Sequence, residues 1–195
     1  MPLPSAVRLP FRFDAAALAA DALALDESVW QSHFNTGVYE GDWSGVALRS
    51  SGGLVALYPD PTRTDAFADT EHLAACPAVR EVLTAFSCPL TSARFLRLAP
   101  GARIKEHRDY NLGFEDGEVR LHIPVTTGPE IEFVLDGQTL VMEPGECWYT
   151  DVSRMHRVEN RSPAARIHLV IDCVVDAWLE GVLTEAAGAS TLSSA

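Results

Sequence analysis

The chain has 195 residues, of which 47% are hydrophobic and 22% are charged. This length suits one domain with a full hydrophobic core and is too short for two large domains. The 15 Lys and Arg residues against 27 Asp and Glu residues give a formal net charge of -12, which repels the phosphates of nucleic acids and anionic lipid headgroups. The composition therefore argues against a nucleic-acid partner.

Cysteine usage and apolar runs indicate the compartment. The four cysteines form no C-x-x-C pair, so they match neither a zinc knuckle nor the disulfide framework of a small secreted domain. No apolar run approaches the roughly 18 residues that cross a bilayer, and Pro and Arg interrupt the N-terminal segment. We expect a soluble, cytoplasmic protein without a signal peptide or membrane partner, of an oligomeric state that the sequence does not indicate.

The first 91 residues are expected to be largely helical. Asp14 to Trp30 is rich in Ala and Leu, begins at a capping aspartate and contains no Gly or Pro, which predicts a helix. A second helical stretch is predicted from about Asp65 to Phe86, as two short helices with Pro77 in the first turn of the second. Between them, Asp42 to Ser50 is predicted as a strand that ends at a Ser-Ser-Gly-Gly turn.

From Ser92 onward, short runs of β-branched and aromatic residues alternate with turn signals. Asp136-Gly137, between two such runs, is typical of a type I′ hairpin because both residues tolerate positive φ. Seven or more strands favour a sandwich or barrel. The tail from Asp176 to Ala187 is predicted to be helical, with a frayed end in GASTLSSA. The predicted strands are Arg94–Ala99, Glu118–Thr126, Ile131–Leu135, Thr139–Met142, Cys147–Thr150, Met155–Glu159 and Ala165–Cys173.

Three residues of this second half have the spacing of a metal centre. His107 and Asp109 lie two apart in a locally extended segment, so both side chains can reach one metal ion. His156 lies at the head of a later predicted strand. Two imidazoles and one carboxylate form the facial triad of non-haem Fe(II) centres, which leaves three coordination positions open. The alternative is that all three are solvated turn or strand-edge residues, and spacing alone leaves both interpretations open.

Polar residues on the apolar strands add to this pattern. Arg166 opens the apolar strand RIHLVIDCV, and burying an arginine is costly unless it meets a carboxylate. Arg120 and His122 alternate along the strand that follows the His-x-Asp triplet. Taken singly, Arg120 is typical of an exposed arginine and His122 of a hydrogen-bonded core histidine. Together, the three polar side chains favour an interior that binds a ligand.

The stretch from Arg94 to Val175 resembles the aspartyl/asparaginyl β-hydroxylase family of Fe(II)- and 2-oxoglutarate-dependent oxygenases, to which proline hydroxylases are related. Its most specific motifs are RFLRLAPGARIKEHRDYNLGFEDGEVRLHIPV, EPGECWYTDVSRMHRVEN and ARIHLVIDC, and a fainter resemblance reaches back to about Asp42. It implies a mainly β fold with flanking helices, a double-stranded β-helix (jelly roll, cupin-like). We expect a single domain over residues 1–195, with a helical N-terminal part at about 1–91, a jelly-roll core at about 92–175 and a C-terminal helix at about 176–187.

The resemblance also implies a role for each candidate residue. The metal ligands and catalytic residues would be His107, Asp109 and His156, which would bind Fe(II). Arg166 would pair with the distal carboxylate of 2-oxoglutarate, for which a planar guanidinium has the right geometry. His122 and Arg120 would also contact this cosubstrate.

Two positions depart from the vertebrate-type members of the family. Leu96 stands where those enzymes have a serine that contacts the cosubstrate. Asp109 supplies the metal carboxylate that they lack, so the chain resembles the bacterial branch more closely.

The implied activity is hydroxylation of an unactivated C–H bond with O2, releasing succinate and CO2. Arg94 falls where the vertebrate-type enzymes have a cationic substrate contact. A basic pocket formed by Arg94, Arg120 and either Arg49 or Arg97 favours an amino acid, a peptide side chain or a similar small substrate with a carboxylate. The alternative is a jelly-roll metalloprotein that does not use 2-oxoglutarate, either a cupin-type enzyme or a ligand-binding module. Arg166 discriminates between these hypotheses.

Overall fold

The computed structural model of the protein describes residues 3–57 and 66–192, with only the backbone for 190–192. The strands are β1 (Ala6–Arg12), β2 (Gln31–Ser32), β3 (Tyr39–Glu40), β4 (Trp43–Ser51), β5 (Phe67–Asp69), β6 (Leu90–Leu98), β7 (Arg103–His107), β8 (Glu118–Thr126), β9 (Ile131–Leu135), β10 (Gln138–Leu140), β11 (Glu146–Thr150), β12 (His156–Asn160) and β13 (Arg166–Val174). The helices are α1 (Ala15–Ala24), α2 (Pro77–Thr84) and α3 (Ala177–Leu192).

The strands form two antiparallel sheets. The larger has the order β1-β11-β8-β13-β6-β4-β2, with β5 added on β4, and the smaller has the order β10-β9-β12-β7-β3. Apart from the β9-β10 and β4-β5 pairs, the described strands that follow one another in sequence are not neighbours in the sheets, as in a jelly roll, where two sheets pack face to face. The predicted mainly β fold with flanking helices is therefore confirmed.

Alternation along the strands divides the apolar side chains into two clusters. One contains Leu169 and Ile171 of β13 together with Leu18 of α1 and Leu179 of α3, so it lies between the larger sheet and the helices. The other contains Val170 of β13 with side chains of both sheets, so it fills the space between the sheets. Because successive side chains of a strand point to opposite faces, the even-numbered residues of β13 face this inter-sheet interior.

The predicted hairpin at Asp136-Gly137 is confirmed. Leu135 and Gln138 pair across it as the last and first residues of β9 and β10. Asp136 and Gly137 have φ of 51° and 75°, the two positive values that a type I′ turn requires.

Helix α1 is shorter than predicted. It begins after Asp14, whose carboxylate accepts hydrogen bonds from the amides of Ala16 and Ala17 at 2.9 and 3.0 Å, but it ends at Ala24 rather than Trp30. The chain re-forms a separate 3-10 turn from Glu27 to Val29, because Asp26 caps the amide of Ser28 at 2.9 Å. The capping aspartate Asp26 thus starts a new turn and ends the helix that the Ala-rich sequence predicts as continuous.

The predicted helical stretch from Asp65 to Phe86 is partly wrong. Asp65 lies outside the described residues, and Phe67 to Asp69 forms strand β5 on the edge of β4. A 3-10 turn from Glu71 to Ala75 precedes α2, in which Pro77 occupies the first turn as predicted. Arg49 of β4 holds β5 in place, since its guanidinium bonds the Asp69 carboxylate at 2.7 Å and the Phe67 carbonyl at 2.9 Å.

The N-terminal part up to residue 91 is not mainly helical, because it supplies five strands to the sheets. Strand β1, which pairs with β11 at the edge of the larger sheet, is not among the predicted elements. Pro10 is tolerated there because a proline suits an edge strand, which leaves one side of its backbone unpaired. At the other end, α3 extends beyond the predicted 187 to Leu192, so part of the tail expected to fray is helical. None of the helices within 3–57 and 66–192 is long and apolar enough to span a membrane.

Candidate metal centre and adjoining cavity

The three predicted metal ligands come together where β7 ends and β12 begins. His107 and His156 are direct cross-strand partners in the smaller sheet, and their ring centroids are 4.3 Å apart. Asp109 follows β7 by two residues and is fixed by a hydrogen bond from its amide to the carbonyl of Val152, at 2.9 Å. Antiparallel pairing of two strands distant in sequence thus builds the centre.

The ligand atoms of these residues have the arrangement of a metal site. One ligand atom from each of the three lies within 4.8 Å of the others, and His107 Nε2 is 3.6 Å from Asp109 Oδ1. The Nδ1 atom of each histidine faces a backbone carbonyl, that of Lys105 at 2.8 Å and that of Arg154 at 2.9 Å. Such bonds fix the tautomer in which Nε2 is free to bind a metal.

The charge states also suit a metal. Burial lowers the pKa of His156, so this imidazole is neutral at pH 7. Burial opposes ionisation of Asp109, but the guanidinium of Arg120 and the imidazoles of His156 and His107 outweigh it and lower the pKa of the carboxyl. Metal ligands must be deprotonated to bind, and these two groups are.

Arg120 lies behind the metal carboxylate. Its Nη1 donates to Asp109 Oδ2, while its Nε and Nη2 donate to the two carboxylate oxygens of Asp172 at 2.7 and 3.0 Å. Arg94, the predicted substrate contact, is 3% exposed and donates to the same carboxylate at 2.7 Å. Ser92 completes the group, since its hydroxyl donates to Asp172 at 2.9 Å and accepts from Arg94 at 2.9 Å.

Arg166 lies at the opposite end of β13 from Asp172 and is 2% exposed. Its Nη2 faces His168 Nδ1 at 2.8 Å, its guanidinium is 5.8 Å from the ring centre of Phe133, and no carboxylate of the described residues pairs with it. Its Nε has no hydrogen-bond partner among the described residues. Burial lowers the pKa of Arg166 to about 9, so it stays charged at pH 7 without a counter-charge.

His122 lies within electrostatic range of both Arg166 and His156. Its Nδ1 is 3.2 Å from His168 Nδ1, and its ring lies 5.6 Å from that of Phe133. Burial lowers the pKa of both histidines well below the usual value, and the charge of Arg166 lowers them further. Two neutral imidazoles therefore line the interior beside one buried cation.

A cavity of about 560 Å³ reaches Arg166 and His168. Its walls include Phe133 and Ile131 of β9, Leu140 and Met142 at and just after the end of β10, and the turn at Gly128. This volume lies in the range of small-molecule sites, which are mostly apolar with a few placed polar groups.

Sequence reasoning missed three residues of this interior: Ser92, His168 and Asp172. The signal for two of them was present in the strand RIHLVIDCV, where Arg166, His168 and Asp172 all occupy the same face by the period of two. It also missed His33, which stacks on Trp43 with ring centroids 3.6 Å apart. Burial lowers the pKa of His33 to about 4, and it is within electrostatic range of Asp109 and His107.

Comparison with known proteins agrees with this geometry. The family model described as Aspartyl/Asparaginyl beta-hydroxylase matches residues 13–175. The chain belongs to this family. An L-proline cis-4-hydroxylase from Rhizobium meliloti (strain 1021) is 26% identical over 174 residues, which are 88% of this chain and 61% of that protein. The chain thus spans somewhat less than two thirds of that relative's length.

Solved structures show that the fold of this aspartyl/asparaginyl β-hydroxylase family member is shared with oxygenases. An oxidoreductase of the 2OG-Fe(II) oxygenase family from Burkholderia pseudomallei has a TM-score of 0.56 at 16% identity, over 87% of this chain and 85% of its own. A non-haem monooxygenase, ThoJ, in complex with nickel has a TM-score of 0.50 at 14% identity, over 88% and 74%. At these identities, both confirm the jelly-roll fold.

The structure shows where Leu96 and Asp109, the two residues that depart from the resemblance, lie in the fold. Leu96 of β6 lies directly opposite His168 of β13 in the larger sheet. A polar side chain thus lies on the strand next to Leu96. Asp109, the second departure, is one of the three grouped ligands.

Proposed function

We propose that this chain is an Fe(II)- and 2-oxoglutarate-dependent hydroxylase, with His107, Asp109 and His156 as ligands of the iron. The observation that carries the proposal is Arg166, a buried guanidinium with no carboxylate partner among the described residues, in the same interior as the three-ligand group. A jelly-roll protein that binds no anion beside its metal has no use for an uncompensated buried cation, which is costly to retain.

The donor set fits iron. Two imidazole nitrogens and one carboxylate oxygen, with no fourth His, Cys, Asp or Glu grouped with them in the described part of the chain, correspond to a centre with open positions. A structural zinc site takes four protein ligands. When bound, iron and the 2-oxo acid supply the oxidising chemistry, in which O2 and 2-oxoglutarate give succinate, CO2 and one hydroxyl group on the substrate carbon.

The chain's own residues bind and orient the cosubstrate. Arg166 pairs with its distal carboxylate, and the planar guanidinium allows two parallel hydrogen bonds. His168 accepts from Arg166 and so fixes the orientation of that guanidinium. His122, neutral and buried beside His168, lines the same interior. Phe133 and its apolar neighbours exclude water from this ion pair, which strengthens it.

Arg120 acts differently from the prediction that it contacts the cosubstrate. Its guanidinium bonds Asp109 and Asp172, so we propose that it holds the metal carboxylate. Oδ2 of Asp109 is engaged by Arg120 and Oδ1 faces His107, which leaves Oδ1 as the metal ligand.

The substrate is proposed to be an amino acid, a peptide side chain or a similar small molecule with a carboxylate. The relative named above is an L-proline cis-4-hydroxylase, and its substrate is an amino acid with a carboxylate. Arg94 stays the predicted substrate contact, although Asp172 already holds one of its nitrogens.

An anaerobic titration of the Fe(II)-loaded protein with 2-oxoglutarate tests the proposal without a substrate. A visible charge-transfer band that saturates is expected, because it forms only when the 2-oxo acid chelates the iron. Iron binding without a band would support a jelly-roll metalloprotein of another type. A saturating band would then be followed by a screen of carboxylate-bearing amino acids and peptides for hydroxylation and succinate release.

A further inference from the structure

Asp172 is a buried carboxylate that touches neither the metal ligands nor the cavity around Arg166. It is 6% exposed and accepts hydrogen bonds from Ser92, Arg94 and Arg120, the last through both Nε and Nη2. Burial alone would raise the pKa of Asp172, but the charges of Arg120 and Arg94 and the bonds from Arg120 and Ser92 lower it far below the usual value. The group is therefore a permanent anion.

The direction of these bonds determines what Asp172 does to Arg120. Two nitrogens on one edge of the guanidinium, Nε and Nη2, are held by the two oxygens of Asp172. A guanidinium is planar and rigid, so a bidentate contact on that edge fixes the whole plane. The remaining terminal nitrogen, Nη1, is then directed at Asp109 Oδ2.

Asp172 is in turn held from a second side. The Ser92 hydroxyl donates to Oδ2 and accepts from Arg94, and Asp172 pairs directly across β13 with Ser92 of β6 and with Arg120 of β8. Three neighbouring strands of the larger sheet therefore fix one carboxylate. The metal ligand Asp109, by contrast, lies in a segment after β7 of the smaller sheet, so Arg120 joins the two sheets.

We propose that Asp172 is a positioning residue for the metal centre: acting through Arg120, it sets which oxygen of Asp109 binds the metal. This inference rests on the proposed function, because it takes His107, Asp109 and His156 as the metal ligands. Groups that orient metal ligands from behind affect metal affinity by about 10- to 100-fold when they are removed.

The test is the binding of Co(II) alone to the full-length protein, followed by calorimetry and by the visible ligand-field spectrum. Asp172→Asn is expected to weaken Co(II) binding by about 10- to 100-fold and to change the spectrum, because Arg120 is no longer held bidentately and Asp109 can rotate. Glu146→Gln is the matched control. Glu146 is equally buried, at 6% exposed, but bonds Arg8 and Trp148, away from the metal centre. The Glu146→Gln variant is expected to bind Co(II) like the wild type.

A purely structural role for Asp172 predicts a different result. Asp172→Asn would then lower the melting temperature, as Glu146→Gln also would, while the folded variant bound Co(II) with wild-type affinity and spectrum; that result overturns the proposal. Additivity gives a second test. If Asp172 acts through Arg120, the double variant with Arg120→Met should bind Co(II) no more weakly than Arg120→Met alone, and full additivity contradicts the mechanism.

Ser92→Ala keeps the test decisive if Asp172→Asn does not fold. It removes a small hydroxyl that holds Asp172 without removing any charge, so the same spectral change is expected with a smaller loss of affinity. An unchanged Co(II) spectrum in that variant counts against the proposal. Failure of the wild type itself to bind Co(II) would instead refute the metal centre, which distinguishes the two failures.

Discussion

Replacing Arg166 with methionine should stabilise the ligand-free protein and greatly weaken cosubstrate binding. Burial lowers the pKa of Arg166 from 12.5 to about 9, and at ~1.36 kcal/mol per unit this corresponds to a cost of about 5 kcal/mol for carrying the charge in the folded state. Methionine has a similar volume and no charge. Replacing buried charges with apolar residues often raises stability by about 1–4 kcal/mol, and each kcal/mol shifts the melting temperature by about 2–4 °C in a protein of this size.

The same substitution is unfavourable for binding of the cosubstrate. Removing one partner of a buried ion pair costs about 3–5 kcal/mol, which corresponds to a roughly 150- to 4,000-fold weaker affinity for 2-oxoglutarate. Thermal melts of the metal-free protein and the anaerobic titration measure the two effects separately. Fe(II) binding should not change, since Arg166 contacts none of the three metal ligands.

Arg97→Met is the control, and its expected change in melting temperature has the opposite sign to that of Arg166→Met. Arg97 lies on β6 and is already neutralised by Glu27, to which it donates twice, and its guanidinium stacks on Trp30 at 4.2 Å. Its replacement should lower the melting temperature slightly and leave the 2-oxoglutarate affinity unchanged. If Arg166→Met is destabilised as Arg97→Met is, and still gives a saturating band at wild-type 2-oxoglutarate concentrations, the assignment of Arg166 is wrong.

The remaining predictions concern the metal ligands, one turn and one buried histidine. His107→Ala should abolish Co(II) binding but change the melting temperature little, because its side chain is only partly buried and lies at the end of β7; Co(II) binding at wild-type strength would refute the triad. Gly145→Ala should be far more destabilising in thermal melts than Gly137→Ala, since both glycines have positive φ but only at position 145 would a Cβ collide with the Phe13 carbonyl; equal losses would contradict this. The pKa of His33 is lowered by burial from 6.5 to about 4, so the unfolded chain takes up the proton first and the metal-free protein should lose about 3 kcal/mol of unfolding free energy as the pH falls from 6.5 to 4. Urea titrations at several pH values in that range give the unfolding free energy, which should fall less steeply with pH in His33→Asn than in the wild type. An equally steep fall in the variant would assign the pH dependence to other groups.

Much of the second half of the fold and the closeness of His107 to Asp109 could be predicted because their signals are local. Turn pairs such as Asp136-Gly137 mark hairpins directly, and His107 and Asp109 lie two residues apart in one extended segment. The same reasoning did not find β1, whose Pro10 and charged residues are unfavourable in a central strand but acceptable at an edge. Helix α1 was predicted too long because Ala-rich propensity extends past Ala24, whereas the cap at Asp26 starts a new turn.

The roles of the arginines could not be predicted, because a role depends on which carboxylate each one meets. Arg94, Arg120 and Arg166 are alike as arginines on apolar strands in the sequence. In the fold, Arg94 and Arg120 both bond the carboxylate of Asp172, whereas Arg166 faces the neutral imidazole of His168 and pairs with no carboxylate of the described residues. Asp172 lies 52 residues from Arg120 and 78 from Arg94, so only strand pairing brings them together.

This difference in charge between the two ends of the interior predicts how the metal-free protein responds to dicarboxylates. An anion that pairs with Arg166 binds the folded state alone, and at about 100 times its Kd it adds about 2.7 kcal/mol to the free energy of unfolding. Succinate and 2-oxoglutarate should therefore each raise the melting temperature without any metal, and acetate, which lacks the second carboxylate, should do so less. Arg166→Met should start from a higher melting temperature and show no response, whereas Glu146→Gln should respond like the wild type. A wild-type protein whose melting temperature ignores both dicarboxylates would show that the charge of Arg166 is already compensated.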